Sequence, residues 1–136
     1  MSLSGSCLCG SVSYICTSDP AISGNCHCLD CKKASGSGYA ATFFVPEEAI
    51  SITGEVKYYE RMASNGKLAR RGFCPHCGSQ LFGRPEAMPG LIGVRAGSLA
   101  DPSRYKPQAD IFASRAPAWD CMDPALPKFQ EMPPLG

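Results

Sequence analysis

The chain has 136 residues, enough for one domain with its own core. A formal net charge of +1, with 18% of residues charged, gives no basic field to attract nucleic acid or an anionic membrane, and no apolar run reaches the roughly 18 residues that a membrane span needs. Gly 14 and Pro 12 disfavour long helices, so the composition predicts short strands joined by tight turns.

The first ten residues, MSLSGSCLCG, lack the basic, apolar and small-residue succession of a signal peptide, which places the expected protein in the cytoplasm. Seven of the nine cysteines fall into three clusters, CLC, CHCLDC and CPHC, a distribution that suits metal in a reducing compartment better than a disulfide framework. Within SCLCG, Cys7 and Cys9 share one side of an extended segment, and Gly10 is free to take a positive φ that turns backbone N–H groups toward sulfur. SVSYIC then alternates Val12, Tyr14 and Cys16 on one face, the pattern of a strand in which Cys16 is an ordinary core residue.

After the loop TSDPAISG comes NCHCLDCKKASGSGY, where Cys26, Cys28 and Cys31 lie close enough for one turn of backbone to aim three sulfurs at a point. YAATFFV reads as a strand ended by Pro46, and Phe43 and Phe44 alternate on it, so at most one of them is expected to face a pocket and the other is core. ISIT and EVKYYERM flank a turn at Gly54, and KLARRGF follows Ser64-Asn65-Gly66, which together predict an antiparallel meander. The basic pairs Lys32-Lys33 and Arg70-Arg71 read as solvated charge. CPHCG repeats the arrangement of CLCG, with Pro75 fixing the turn and Gly78 in the role of Gly10. SQLFGRP, GLIGVRAG and DIFAS make further short strands, and the proline-rich tail from Ala116 to Gly136 is expected to wrap the surface.

Thiolates at about 2.3 Å suit zinc, and spacing allows two four-cysteine sites. Cys74 and Cys77 can join Cys7 and Cys9, or they can join Cys28 and Cys31 as in a zinc ribbon. The first pairing uses every clustered cysteine and leaves Cys26, Cys28 and Cys31 as a second site, with three ligands and a fourth position free, the pattern of catalytic zinc. His27, wedged between two of these cysteines, is expected to point away from the metal, and His76 to be exposed.

The order CLCG, CHCLDCKKASGSGYAA, FCPHCGSQLF, SLADP, SRAPAW and LPKF resembles the family of glutathione-dependent formaldehyde-activating enzymes (S-hydroxymethylglutathione synthases) and centromere protein V. APAW carries one residue more than that family's APW. The resemblance implies a mainly β, Mss4-like fold with short antiparallel strands and few or no long helices, residues 1–136 forming a single zinc-binding domain. It implies two zinc ions per chain, a structural one on Cys7, Cys9, Cys74 and Cys77 and a catalytic one on Cys26, Cys28 and Cys31.

Three thiolates and Zn²⁺ sum to −1, a weak Lewis acid for water but a good host for a thiol, whose ordinary pKa of about 8.5 a metal lowers. The expected activity is therefore that of a carbon–sulfur lyase or thiol-adduct enzyme, taking a small thiol such as glutathione and an aldehyde such as formaldehyde. Ser35, Gly36 and Tyr39 are candidate substrate-pocket residues, the SGSG backbone being able to approach a carboxylate or oxyanion. The alternatives from other classes are a non-catalytic thiol carrier and a structural zinc module. Neither nucleic acid nor membrane is an expected partner.

Overall fold

Alternation of apolar and polar residues in the first strands decides which side of the chain turns inward. Leu3, Val12, Tyr14 and Cys16 are all buried. The computed structural model describes residues 2–133. Its elements run β1 (Leu3–Ser6), β2 (Ser13–Cys16), β3 (Ile22–Cys26), α1 (Leu29–Ser35), β4 (Ala40–Pro46), β5 (Ile50–Thr53), β6 (Lys57–Met62), β7 (Leu68–Phe73), β8 (Gln80–Pro85), β9 (Leu91–Arg95) and β10 (Asp110–Ile111). The mainly β architecture with few helices is the expected class, and no helix among the described residues is long and apolar enough to cross a membrane.

Two sheets form: a three-stranded one in the order β1-β2-β5 and a seven-stranded one in the order β10-β3-β4-β9-β8-β7-β6. Leu3, Tyr14 and Cys16 of the small sheet share one core cluster with Phe43, Val45, Phe82, Ile92 and Val94 of the large one. Tyr14 and Phe82 meet edge to face with ring centroids 5.7 Å apart, a geometry that contributes about 0.5–1.5 kcal/mol beyond the area buried.

Directly opposed residues in a sheet share a face. Phe43 opposes Val94, which opposes Phe82, and this row is the core face. The other face carries Thr42 opposite Arg95, and Gly93, Gly83, Arg71 and Tyr59 in successive pairing. Cys26 is two residues beyond Gly24, the partner of Thr42, so the triplet begins on this second face. Helix α1 lies against it, with Asp30 3.4 Å from Arg61.

The expected meander holds from β6 to β9. It does not include ISIT, because β5 pairs with β2 and belongs to the other sheet. The cause lies at Gly54, whose φ is 105° and where a Cβ would come within 2.1 Å of the Ser11 carbonyl. The chain there passes against the backbone of another segment instead of folding back on itself. LDCKKAS is helical, where the sequence suggested only a turn. The Arg70-Arg71 pair is also not uniformly solvated: Arg70 is ion-paired at the surface with Glu60, while the Nε of Arg71 is buried. DIFAS gives only the two-residue β10, parallel to β3, followed by a 3-10 turn at Ala113–Arg115.

The tail lies along β10. Asp110 N–H donates to the Pro127 carbonyl, and Phe129 N–H donates to the Asp110 carbonyl. It wraps the surface as expected as far as residue 133, and residues 134–136 of that stretch lie outside the described residues.

Candidate metal centres

The first cluster gathers at the ends of β1 and β7. Gly10 and Gly78, at φ 81° and 78°, adopt the left-handed conformation that an L side chain resists. Their N–H groups close turns onto the carbonyls of Cys7 and Cys74 at 3.2 and 2.8 Å. Val12 N–H donates to Cys7 Sγ at 3.2 Å and His76 N–H to Cys74 Sγ at 3.4 Å, and His76 is exposed. Ser79 ties the two turns together, accepting from Leu8 N–H at 3.0 Å while its hydroxyl lies 3.2 Å from Cys77 Sγ.

The sulfur spacing tests whether these residues fit a metal. Cys7 and Cys9 sulfurs are 3.7 Å apart, and those of Cys9 and Cys74 are 3.8 Å apart. A tetrahedron with bonds of about 2.3 Å has sulfur–sulfur edges of about 3.8 Å, whereas a disulfide would require about 2.05 Å. All four sulfurs lie within 4.8 Å of one another. The set therefore fits a four-thiolate metal site, and the pairing of Cys7 and Cys9 with Cys74 and Cys77 is the one the fold brings together. The surroundings divide the thiols: the Ser79 hydroxyl, with backbone N–H groups, lowers Cys77 to about 5, while burial raises Cys74 to about 11.

Cys26, Cys28 and Cys31 also converge within 4.8 Å. Cys26 ends β3, and Cys28 caps α1, its sulfur accepting from Cys31 N–H at 3.3 Å where Ser or Asp would ordinarily accept. The helix thus returns Cys31 over Cys28, and Gly36 at φ 72° closes its far end. The thiols are strongly coupled. Hydrogen bonds from Cys26 and then Cys31, aided by the Arg71 charge, push Cys28 down to about 2, while sharing with Cys28 and Cys31 raises Cys26. Three sulfurs this close share protons, which a cation binding them would displace.

Between the two ligand candidates lies His27, which is fully buried. Its Nε2 is 2.8 Å from Asp110 Oδ1 and its Nδ1 is 2.5 Å from Asp120 Oδ2, the carboxylates being 1% and 2% exposed. Both nitrogens are taken, so the ring offers none to a metal, and among the described residues no fourth His, Cys, Asp or Glu atom joins the triplet. Asp110 also receives Asn25 Nδ2 at 3.3 Å and lies 2.9 Å from Lys128 Nζ. Burial pushes its carboxyl up, but bonds from His27, Lys128 and Asn25 outweigh that and hold it below the usual range. His27 points away from the sulfurs as its place between two cysteines predicts, and its partners lie 83 and 93 residues along the chain, beyond any local pattern.

A cavity of about 600 Å³ has Cys7, Ser35, Tyr39, Gln80 and Arg95 in its wall, and no cysteine of the triplet lines it. A smaller one of about 280 Å³ adjoins it through Ala34 and Gln80, and Arg71 lines it. Of the three candidate pocket residues, Ser35 and Tyr39 reach the larger cavity, and the Tyr39 ring centroid is 5.1 Å from that of His27. Gly36 caps the helix with its N–H bonded to the Lys32 carbonyl, and Ser37 N–H is bonded to Ser35 Oγ, so neither amide is free for an oxyanion. Phe43 is core and Phe44 lies on the opposite face. Trp119 is exposed, but it rests over Gly38, where a Cβ would come 3.0 Å from Cζ3 and 3.1 Å from the Asp120 carboxylate.

These features can be set beside known proteins. A Rhodobacter sphaeroides protein of known crystal structure superposes with a TM-score of 0.56 at 20% identity, over 71% of this chain and 87% of that one, a likeness of fold. A Penicillium rubens protein, described among the glutathione-dependent formaldehyde-activating enzymes, is 36% identical over 61 residues, which is 45% of this chain. The match spans about a third, 31%, of that relative's length. The family model described as glutathione-dependent formaldehyde-activating enzyme matches residues 2–115, taking in all seven clustered cysteines and most of the strands that carry them. The chain belongs to the family of glutathione-dependent formaldehyde-activating enzymes.

Proposed function

We propose that the protein is a zinc-dependent carbon–sulfur lyase that forms or cleaves thiol–aldehyde adducts of the S-hydroxymethylglutathione type, in a reducing, cytoplasmic setting. The observation that carries this is the convergence of Cys26, Cys28 and Cys31, with the neighbouring His27 unable to complete the shell. On this reading the chain holds two zinc ions, the four-cysteine set being structural and the triplet catalytic. Zinc held by Cys26, Cys28 and Cys31 would supply Lewis acidity that lowers the pKa of a substrate thiol toward neutral.

The chain's own residues shape that event. Cys26, Cys28 and Cys31 are fixed by the strand end and the helix cap, so their sulfurs converge before any ligand enters. Arg71 and Arg95 put positive charge beside the cluster, which favours an anionic sulfur there. Ser35 and Tyr39 form part of the wall that keeps the thiol and aldehyde together. In the synthetic direction a bond forms between sulfur and the carbonyl carbon, and the thiol's proton is replaced by one on the carbonyl oxygen. The lyase direction reverses both changes, so no oxidant or reductant is needed.

The test mixes protein, glutathione and formaldehyde and follows adduct formation against the spontaneous rate. Acceleration that disappears in Cys28→Ser supports the enzyme. Glutathione binding without acceleration would replace it by the carrier.

A further inference from the structure

His27 sits one residue from each of two triplet cysteines and takes no part in the proposed reaction. Its N–H donates to the Ile111 carbonyl at 3.0 Å, its Nε2 faces Asp110 Oδ1 at 2.8 Å, and its Nδ1 faces Asp120 Oδ2 at 2.5 Å. With the backbone and both ring nitrogens engaged, the chain between Cys26 and Cys28 has little freedom to pivot, and the spacing of the two sulfurs is set with it.

The Asp110 and Ile111 clamps come from β10, a strand of only two residues, and the Asp120 clamp comes from the tail. The tail also secures β10 from its outer side. Asp110 N–H and carbonyl are bonded to Pro127 and Phe129, and Lys128 Nζ lies 2.9 Å from Asp110 Oδ2. Yet from Ala113 onward no apolar side chain among the described residues joins the core cluster. A segment of that kind is held mainly by polar ties, which puts it at the low end of local stability. Most of those ties lie at the surface, whereas the carboxylate of Asp120 is 2% exposed.

Docking of the tail and order in the triplet therefore depend on the same two groups, His27 and Asp110. Sulfurs that already converge lose less freedom when a cation gathers them. Linkage runs both ways: whatever factor the docked tail adds to the affinity for metal, bound metal adds to the docking of the tail.

We infer that Asp120 is a positioning residue for the triplet: through His27 it fixes the spacing of Cys26 and Cys28, and so couples docking of the C-terminal tail to metal binding. This rests on the proposed metal at the triplet but not on the thiol–aldehyde chemistry. Ser114, whose hydroxyl bonds Gln130 and Glu131 at the surface, ties the tail without touching His27 and serves as a control.

The experiment withdraws zinc from the whole, zinc-loaded chain with a chromophoric chelator and reads the two sites as separate steps, Cys28→Ser identifying the step that belongs to the triplet. Asp120→Ala should weaken that step by about tenfold and leave the other unchanged. Asp120→Asn, which keeps an oxygen acceptor opposite Nδ1, should recover most of the loss, and Ser114→Ala should match wild type at both sites. Cobalt bound at the triplet should show altered visible bands in Asp120→Ala, a signature of changed sulfur geometry that a general loss of stability does not produce. In wild type, taking zinc from the triplet should shift the emission of Trp119, the single tryptophan, and speed trypsin cleavage after Arg115 and Lys128. That arm needs no variant and decides the case in which Asp120→Ala does not fold. Equal affinity in wild type and Asp120→Ala, or a loss in Ser114→Ala as large as in Asp120→Ala, would overturn the positioning role. So would a tail whose emission and cleavage ignore the metal. A wild type that holds zinc at the four-cysteine site alone would overturn the triplet reading together with this one, whereas two zinc ions unaffected by Asp120→Ala would remove this one only.

Discussion

At the scale of single residues, His27 joins segments far apart in the chain. It is held between two carboxylates that would otherwise face one another in the interior. Removing the hydrogen-bond partner of buried carboxylates costs about 3–5 kcal/mol, because they stay behind without compensation. His27→Ala should therefore lower stability by about that amount, and metal at the triplet should be lost before metal at the other cluster. Chemical unfolding with zinc counted on each fraction checks both. Asp110 makes a separate prediction. Its carboxyl is held below the ordinary range by His27, Lys128 and Asn25, so its stabilisation is fully present above the unfolded value of about 3.9 and is lost as pH falls through the lower folded one. The stability difference between wild type and Asp110→Asn should be constant above about pH 5 and shrink below about pH 4. A difference that grows on acidification would contradict the assignment.

Among the elements, the tail and the glycine beneath it are coupled. A Cβ on Gly38 would press on Trp119 and on the carboxylate of Asp120, the partner of His27. Gly38→Ala should displace the tail there and shift the fluorescence of the chain's single tryptophan, with weaker metal retention at the triplet. An unchanged emission spectrum would show that the tail accommodates the methyl.

Much of this scaffold is legible in the sequence. The three cysteine clusters, the buried alternation of Val12, Tyr14 and Cys16, and the run from β6 to β9 all follow from local pattern. The rest depends on partners far along the chain. Nothing in ISIT says that it pairs with β2 rather than β6, because a strand's alternation names its inner face but not its neighbour. The His27 network joins residues more than 80 positions apart and leaves no local trace. The helix at LDCKKAS did leave one, in Asp30 near its start and Gly36 past its end, but a cysteine cap hides the usual N-terminal signal. Arg71 could have been separated from Arg70 by strand alternation alone, had the charge pair not been read as a unit.

For the whole molecule, the two candidate metal sites differ in what metal there would hold together. Cys7, Cys9, Cys74 and Cys77 join turns 65 residues apart, one from each sheet, so metal there would close a long loop and tie the layers together. The triplet lies within six positions, on one strand end and one short helix, and holds no distant segments together through its metal. The most direct test is therefore to measure zinc content and melting temperature on Cys28→Ser and Cys74→Ser side by side. The account predicts that Cys28→Ser keeps one zinc and nearly the wild-type melting temperature while losing thiol-adduct activity, and that Cys74→Ser melts far lower or fails to fold. Equal and large losses of stability in both would contradict it, making the triplet a structural site like the other.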